Sequence, residues 1–427
     1  MKLNNKRTIL VGLAFMSILL FWQVYEGIVP LILKETFNVG DTFSGVIMAL
    51  DNILALIMLP LFGTLSDKTD TRIGRRMPYI IIGTIAASIF MILIPIGDRI
   101  RSLPLFFTAL LLVLVSMSIY RSPAVALMPD VTPKPLRAKG NAIINLMGTF
   151  GGLIGLILTA VLVPAGEHPN YIPLFVAVAA LMLTAVAVLY RKVNEKQLVE
   201  TCRKESEAMG IDEAEPDTKN STGGKLSRSE LRSLLFLLAS VFLWYFGYNA
   251  VTSAFSKYAR VYWGLEGGLF AYTLMVALVA ATIAYIPAGM LAAKIGSKKT
   301  ILIGVALLTV SFGCGILFRT FSLWVFLLFS FAGFGWAMIN VNSYPMVVEI
   351  SRAGNIGKYT GYYYTFSMCS QIITPILSGA CLEHIGYWSL FPYAALFAGL
   401  SFVTMCFVRH GDIKPVQKSK LEVFDND

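Results

Sequence analysis

The chain has 427 residues, 56% of them hydrophobic and 14% charged, with a formal net charge of +10 and a mean hydropathy of +0.70. Soluble domains carry about 25% charged residues, so this chain cannot build the charged shell that a water-soluble fold of its length needs. Its apolar runs are about 20 residues long, the length that crosses a bilayer core, and are apolar all round rather than alternating, which selects helices over a closed barrel.

Taken in chain order, the first predicted span is Thr8–Leu33, behind Lys2, Lys6 and Arg7. It is too long for a removed signal peptide and lacks a small-residue cleavage site. The others are predicted at Thr42–Leu65, Pro78–Gly97, Pro104–Leu127, Ala138–Val163, Tyr171–Tyr190, Leu231–Phe255, Leu269–Ala293, Thr300–Phe318, Leu323–Val348, Tyr359–Leu382 and Tyr387–Val408. The fold class is therefore an all-α membrane protein of twelve transmembrane helices. Between Arg191 and Arg232 the composition turns to Glu, Lys, Asp, Ser and Gly, most purely over Ile211 to Gly224. Such a segment cannot bury a core and is expected to be a mobile or loosely helical linker. The domain reading is a six-helix bundle over 1–190, a cytoplasmic linker over 191–230, a second bundle over 231–410 and a cytoplasmic tail over 411–427.

With both termini inside, Lys34, Arg99, Arg101, Lys257, Arg260 and Arg319 fall outside and Arg121 falls within a span. The rest of the 35 Lys and Arg lie on the cytoplasmic side. That asymmetry is the positive-inside pattern, so the basic balance reads as topology in a cell inner membrane and not as nucleic-acid binding. Five cysteines at 202, 314, 369, 381 and 406 form no CxxC or Cys/His cluster. They predict neither a disulfide framework nor a metal site, and no cofactor is implied.

The halves echo one another. After span two comes Gly63, then Ser66-Asp67, Arg72 and Gly74-Arg75-Arg76 before Pro78; after span eight comes a degenerate Gly289, Ala293, Gly296, Lys298 and Lys299. The first of these resembles the signature loop of the major facilitator superfamily. Its longer spelling, with Pro123, Ala126, Leu127 and Asp130 and then Arg137, Ala138 and Asn141, is similar to the sucrose transporters and the glycoside–pentoside–hexuronide cation symporters. The resemblance implies two six-helix repeats with a substrate site between them. It also implies a cytoplasmic latch of Gly63, Asp67, Arg72, Gly74, Arg75, Arg76 and Asp130 that holds that side shut when the cavity opens outward. In that reading Asp67 faces the positive N-terminus of a neighbouring helix, and Arg75 or Arg76 reaches Asp130. The chain departs from its relatives elsewhere. The span-two carboxylates of melibiose-type carriers fall at Ala55 and Leu59. The span-four Asp and Arg of plant sucrose transporters fall at Leu114 and Val125, with Arg121 one turn from the latter.

Ionisable groups within spans are functional candidates because each is costly there unless paired or facing water. Glu26 in span one is the first candidate for a proton carrier, Asp51 in span two the second, and Arg121 in span four their counter-charge. Trp22 and Gln23 lie at i−4 and i−3 from Glu26, on its helical face. Sugars need fixed donors and acceptors plus aromatic rings for their C–H faces. The candidates are Trp22, Gln23, Tyr120, Asn145, Trp244, Tyr248, Asn249, Trp336 and Asn340, and the i+4 stripe of Tyr363, Ser367 and Gln371. Gly148, Gly151, Gly152 and Gly155 are expected to serve close helix packing. No Gly-x4-Gly-Lys-Ser/Thr loop and no nucleophile–base pair is present, which excludes ATP-driven transport and argues against an enzyme. The expectation is a monomeric secondary transporter moving a sugar, such as a di- or oligosaccharide or glycoside, with protons. The alternative is a proton-coupled efflux antiporter for drugs or metabolites.

Overall fold

The computed structural model describes residues 4–133, 136–166, 168–208, 227–350 and 356–412. The predicted linker stretch 211–224 and most of the tail lie outside the described residues. Among the described residues thirteen α-helices run in chain order: α1 Asn5–Glu35, α2 Asp41–Lys68, α3 Met77–Arg99, α4 Leu103–Asp130, α5 Arg137–Leu162, α6 Ile172–Lys192, α7 Glu195–Ala208, α8 Arg228–Val261, α9 Phe270–Ile295, α10 Ser297–Gly315, α11 Trp324–Ile350, α12 Ile356–His384 and α13 Leu390–Cys406, the last entered through a 3-10 turn at Tyr387–Ser389. All but α7 belong to twelve helical segments long and apolar enough to cross a membrane.

Apolar side chains fix the helices in place, and glycines let them approach. At Gly151 of α5 a Cβ would sit 1.9 Å from the Met16 carbonyl oxygen of α1, so the two backbones touch, as the small-residue pattern of span five predicts. The same device joins the first six helices to the last six. Cβ atoms at Gly45 of α2 and Gly379 of α12 would strike the backbones of Pro375 and Asp41, at 2.1 and 2.3 Å. Proline interrupts several spans, including Pro30, Pro60, Pro287 and Pro375, each removing one backbone donor from its ladder. Polar caps hold the water-side ends. Ser227 accepts the Glu230 amide at 3.2 Å while Glu230 accepts the Ser227 amide at 2.7 Å, a capping box that starts α8.

Two boundaries differ from the sequence reading. Helix α8 continues to Val261, carrying Lys257 inside the fold at 3% exposure. A hydropathy reading ends the span at the first cation, but here a partner carboxylate neutralises that cation and the helix runs on. The first part of the linker is the regular helix α7, docked on the end of the bundle that also carries the start of α1. Arg7 pairs with its Glu205 at 3.4 Å and Lys196 with Asp70 at 2.9 Å; Glu195, Cys202 and Ser206 are buried. We term this end the linker face and the opposite one the far face.

Candidate functional site

A cavity of about 250 Å³ lies where α1 meets the last six helices. Gln23 and Glu26, one turn apart on α1, form one wall. Tyr248, Asn249 and Thr252 on α8, Leu278 and Tyr285 on α9, and Gly333 and Trp336 on α11 stand among the residues opposite. Trp336 stacks flat on Tyr248 at 3.7 Å between ring centroids and 4° between planes, and Tyr245 meets Trp336 edge-on at 5.2 Å. The amide Nδ2 of Asn249 is buried without a hydrogen-bond partner. Several other buried side-chain polar atoms lack a partner as well, among them the indole N–H groups of Trp22 and Trp244, so this amide is a candidate ligand donor by its place on the cavity wall. Asn340 supports the wall from behind, its Nδ2 donating to the Tyr285 hydroxyl at 3.4 Å.

Trp22, on the α1 turn before Glu26, faces a second, much smaller pocket together with Asp51, Ser118 and Arg121. The Arg121 guanidinium lies 5.9 Å from the centre of the Trp22 ring, within cation–π reach. Asp51 accepts the Asn52 side-chain amide at 2.8 Å. Glu26, Asp51 and Arg121 lie within electrostatic reach of one another, yet no pair among them closes to an ion pair. The three predicted charges therefore form one loose group divided by Trp22, with Glu26 on the side of the larger cavity.

The remaining sugar-site candidates are elsewhere. Tyr120 is buried between α4 and α1, its hydroxyl donating to the Ala14 carbonyl at 2.9 Å and meeting Ser17; satisfied in the core, it does not reach the cavity. Trp244 is fully buried in the apolar core. Asn145 is exposed on α5. The α12 stripe is occupied locally: Tyr363 bonds the Ser343 hydroxyl at 2.9 Å, Ser367 donates to the Tyr364 carbonyl at 3.0 Å, and Gln371 to the Ser367 carbonyl at 3.3 Å. Their i+4 spacing is a helix-face signal that does not say which neighbour the face meets.

At the linker face, Asp130 of α4 gathers both arginines, Arg75 at 2.8 Å and Arg76 at 2.9 Å. Arg76 also pairs with Asp67 and donates to the Gly63 carbonyl at 3.3 Å. Burial disfavours the Arg76 charge, but Asp130 and then Asp67 outweigh it and hold the guanidinium above the usual arginine range. Arg72 is exposed and stands apart from the cluster. Asp67, at the C-terminal end of α2, meets the start of α3 through the side chain of Arg76, the residue that caps that helix, while the backbone N–H groups there are taken by Glu195 of α7. Glu195 accepts the backbone N–H groups of Arg75, Arg76 and Met77 at 2.9 Å each, where the start of α3 attracts negative charge. Gly74, at φ +118°, lets the carboxylate in, since a Cβ there would lie 2.2 Å from its oxygen. Sequence reasoning missed Glu195 because it is one acid among many in a charged linker.

A second cluster, also unforeseen, spans the two halves at the far face. Asp41, 1% exposed, sits at the start of α2 and pairs with Lys257 of α8 at 2.9 Å and Lys34 of α1 at 3.0 Å. The Tyr387 hydroxyl donates to both its oxygens at 3.0 and 2.9 Å. Glu383 of α12 accepts the Thr42 amide at 2.8 Å, Arg260 pairs with Glu35, and the Gly268 amide donates to the Val163 carbonyl at 3.3 Å. Among the described residues the polar contacts between the halves gather at this end.

Comparison with known proteins bears on the fold and the family. A 26% identical stretch of 140 residues is shared with the sucrose transport protein SUC3 of Arabidopsis thaliana, covering 28% of this chain and 24% of that one, so the match spans about a quarter of that relative. Among solved structures, a peptide transporter (POT) crystallised with sulfate superposes with a TM-score of 0.70 at 12% identity, over 94% of this chain and 93% of that one. The nucleoside transporter NupG gives 0.68 at 14%, over 94% and 100%, and an inward-facing bacterial homolog of the human lysosomal transporter Spinster 0.65 at 15%, over 96% and 95%. At such identities these structures establish the fold. The sequence itself matches the Major Facilitator Superfamily over residues 11–284 and again over 237–424, and the chain belongs to that family of multi-pass membrane transporters, not to an enzyme class.

Proposed function

We propose that the chain is a proton-coupled secondary transporter of a sugar, working as a monomer in the cell inner membrane with both termini cytoplasmic. The observation that carries this reading is the cavity between α1 and the last six helices. It brings an aromatic platform, Trp336 on Tyr248, within one small volume of Gln23, Asn249 with its unpartnered amide, and the carboxylate of Glu26. A hydroxylated ring packs its C–H face on the platform and satisfies the amides at its edge. The partial likeness to a sucrose transport protein supports the same substrate class. Alternating access follows from the two clusters: the far face is held shut across the halves while the first six helices and α7 are tied together at the linker face. Glu26 carries the proton, with Asp51 and Arg121 setting the field around it.

Counterflow of a radiolabelled panel of mono-, di- and oligosaccharides in proteoliposomes tests this directly. Accelerated exchange of at least one glycoside is expected; no exchange of any, with exchange of a nucleoside or peptide instead, overturns the sugar assignment. The apolar part of the cavity wall, including Leu274, Leu278, Phe312 and Phe329, favours efflux of a greasier solute as the second reading. Proton-driven extrusion of a lipophilic dye from cells would select it.

A further inference from the structure

Resting on the reading of this cavity as the substrate site, we infer that it rejects anions, so that the transported solute enters uncharged. Among the described residues that line it there is no Lys, Arg or His, and Glu26 is the one carboxylate. Arg121, the cation within electrostatic reach of Glu26, faces the separate pocket behind Trp22 and shares it with Asp51. Counting Glu26, Asp51 and Arg121 together, the group sums to one negative charge with both acids ionised, to none with one protonated and to one positive charge only with both protonated. While either acid is ionised it offers no net positive charge to an incoming carboxylate or phosphate, and the Arg121 charge lies outside the cavity lining in every case. A buried anion without a paired cation is strongly disfavoured, and like-charge opposition is a general means of excluding wrong ligands. The groups that are present suit a neutral polyol. Gln23 and Asn249 bring side-chain amides to the wall, the Glu26 carboxylate accepts hydroxyl protons, and the stacked Trp336–Tyr248 pair adds aromatic rings, whose π systems do not attract anions.

Two measurements test this. The first needs no substrate: Thr252→Cys, in a background with the five native cysteines replaced, is treated with cationic and anionic methanethiosulfonates of matched size. With each rate divided by that reagent's rate with a free thiol, the cationic reagent should react about tenfold faster or more, as a one-charge field in a low-dielectric cavity implies, and Glu26→Gln should shrink that normalised ratio toward one. Equal rates, a faster anionic reagent, or a ratio insensitive to Glu26→Gln overturns the inference. The second is binding to the purified full-length protein of matched pairs differing only in charge: a phenyl glucoside against the phenyl glucuronide, and a nucleoside against its monophosphate. The neutral member should bind about 100-fold tighter; an anion that binds as well or better overturns the inference. If only the nucleoside binds and its monophosphate does not, the sugar assignment fails while the charge rule stands.

Discussion

The two ion clusters of this transporter use similar residues for different purposes. The far-face cluster joins α1 and α2 to α8 and the approach to α13, so it crosses the divide between the halves. The linker-face cluster joins α2, α3, α4 and α7, all on one side of it. One is therefore a clasp between bodies and the other a brace within one. The Asp41 carboxylate and the Lys257 ammonium are 1% and 4% exposed, whereas Asp67 is 55% exposed. Burial raises the cost of breaking the first far above that of the second, because screening by water weakens exposed pairs.

The comparison can be broken most severely at Asp41. Asp41→Asn strands two lysines and should weaken the closed far face by about 3–5 kcal/mol, read as faster labelling of a Ser44→Cys probe by an impermeant maleimide. The paired replacement Asp41→Leu with Lys257→Met should restore thermal stability to near the parent, since a packed apolar pair can substitute for a buried ion pair. Unchanged labelling in Asp41→Asn would remove the clasp from the account.

Next in size is Glu26, the proposed proton carrier. Glu26→Gln keeps shape but cannot titrate, so uphill accumulation in proteoliposomes should vanish while substrate exchange survives, because exchange needs no net proton movement. Retained accumulation would pass the role to Asp51. At the brace, Glu195→Gln should loosen α7 by about 1–2 kcal/mol through loss of charge-assisted bonds to the α3 N-terminus. Faster hydrogen exchange over 195–208 and 75–79 is the readout. The smallest effect belongs to Asp67→Asn, about 0–1 kcal/mol for so exposed a pair, seen as a minor fall in melting temperature. A larger loss there than in Glu195→Gln would invert the ranking within the brace.

Much of the fold was legible because a bilayer imposes a length on every span, and helices such as α3 and α6 end within two residues of their predicted limits. The cavity was legible where a polar residue interrupts an apolar run, hence Gln23, Glu26, Tyr248, Asn249 and Trp336. Tyr120 and Trp244 interrupt such runs equally, yet face the core, since facing depends on which helix lies opposite. Tyr285 and Thr252 gave no signal stronger than many other spans carry. The clasp was illegible for a different reason: Lys257 and Asp41 are 216 residues apart, and each alone reads as an ordinary span end. The packing of α2 against α12 through Gly45 and Gly379, with α8 packed on both α12 and α1, brings their neighbourhoods together.

The central claim, that the far-face cluster and not the linker-face one holds this conformation, is tested by spin-label distances in Asp41→Asn and Asp67→Asn. One label pair is placed at the exposed far-face positions Phe43 and Ile385, the other at Lys139 and Lys294 on the linker face. Asp41→Asn should lengthen the first distance and shorten the second, and Asp67→Asn should leave both near the parent values. A shift in Asp67→Asn with none in Asp41→Asn would contradict the account.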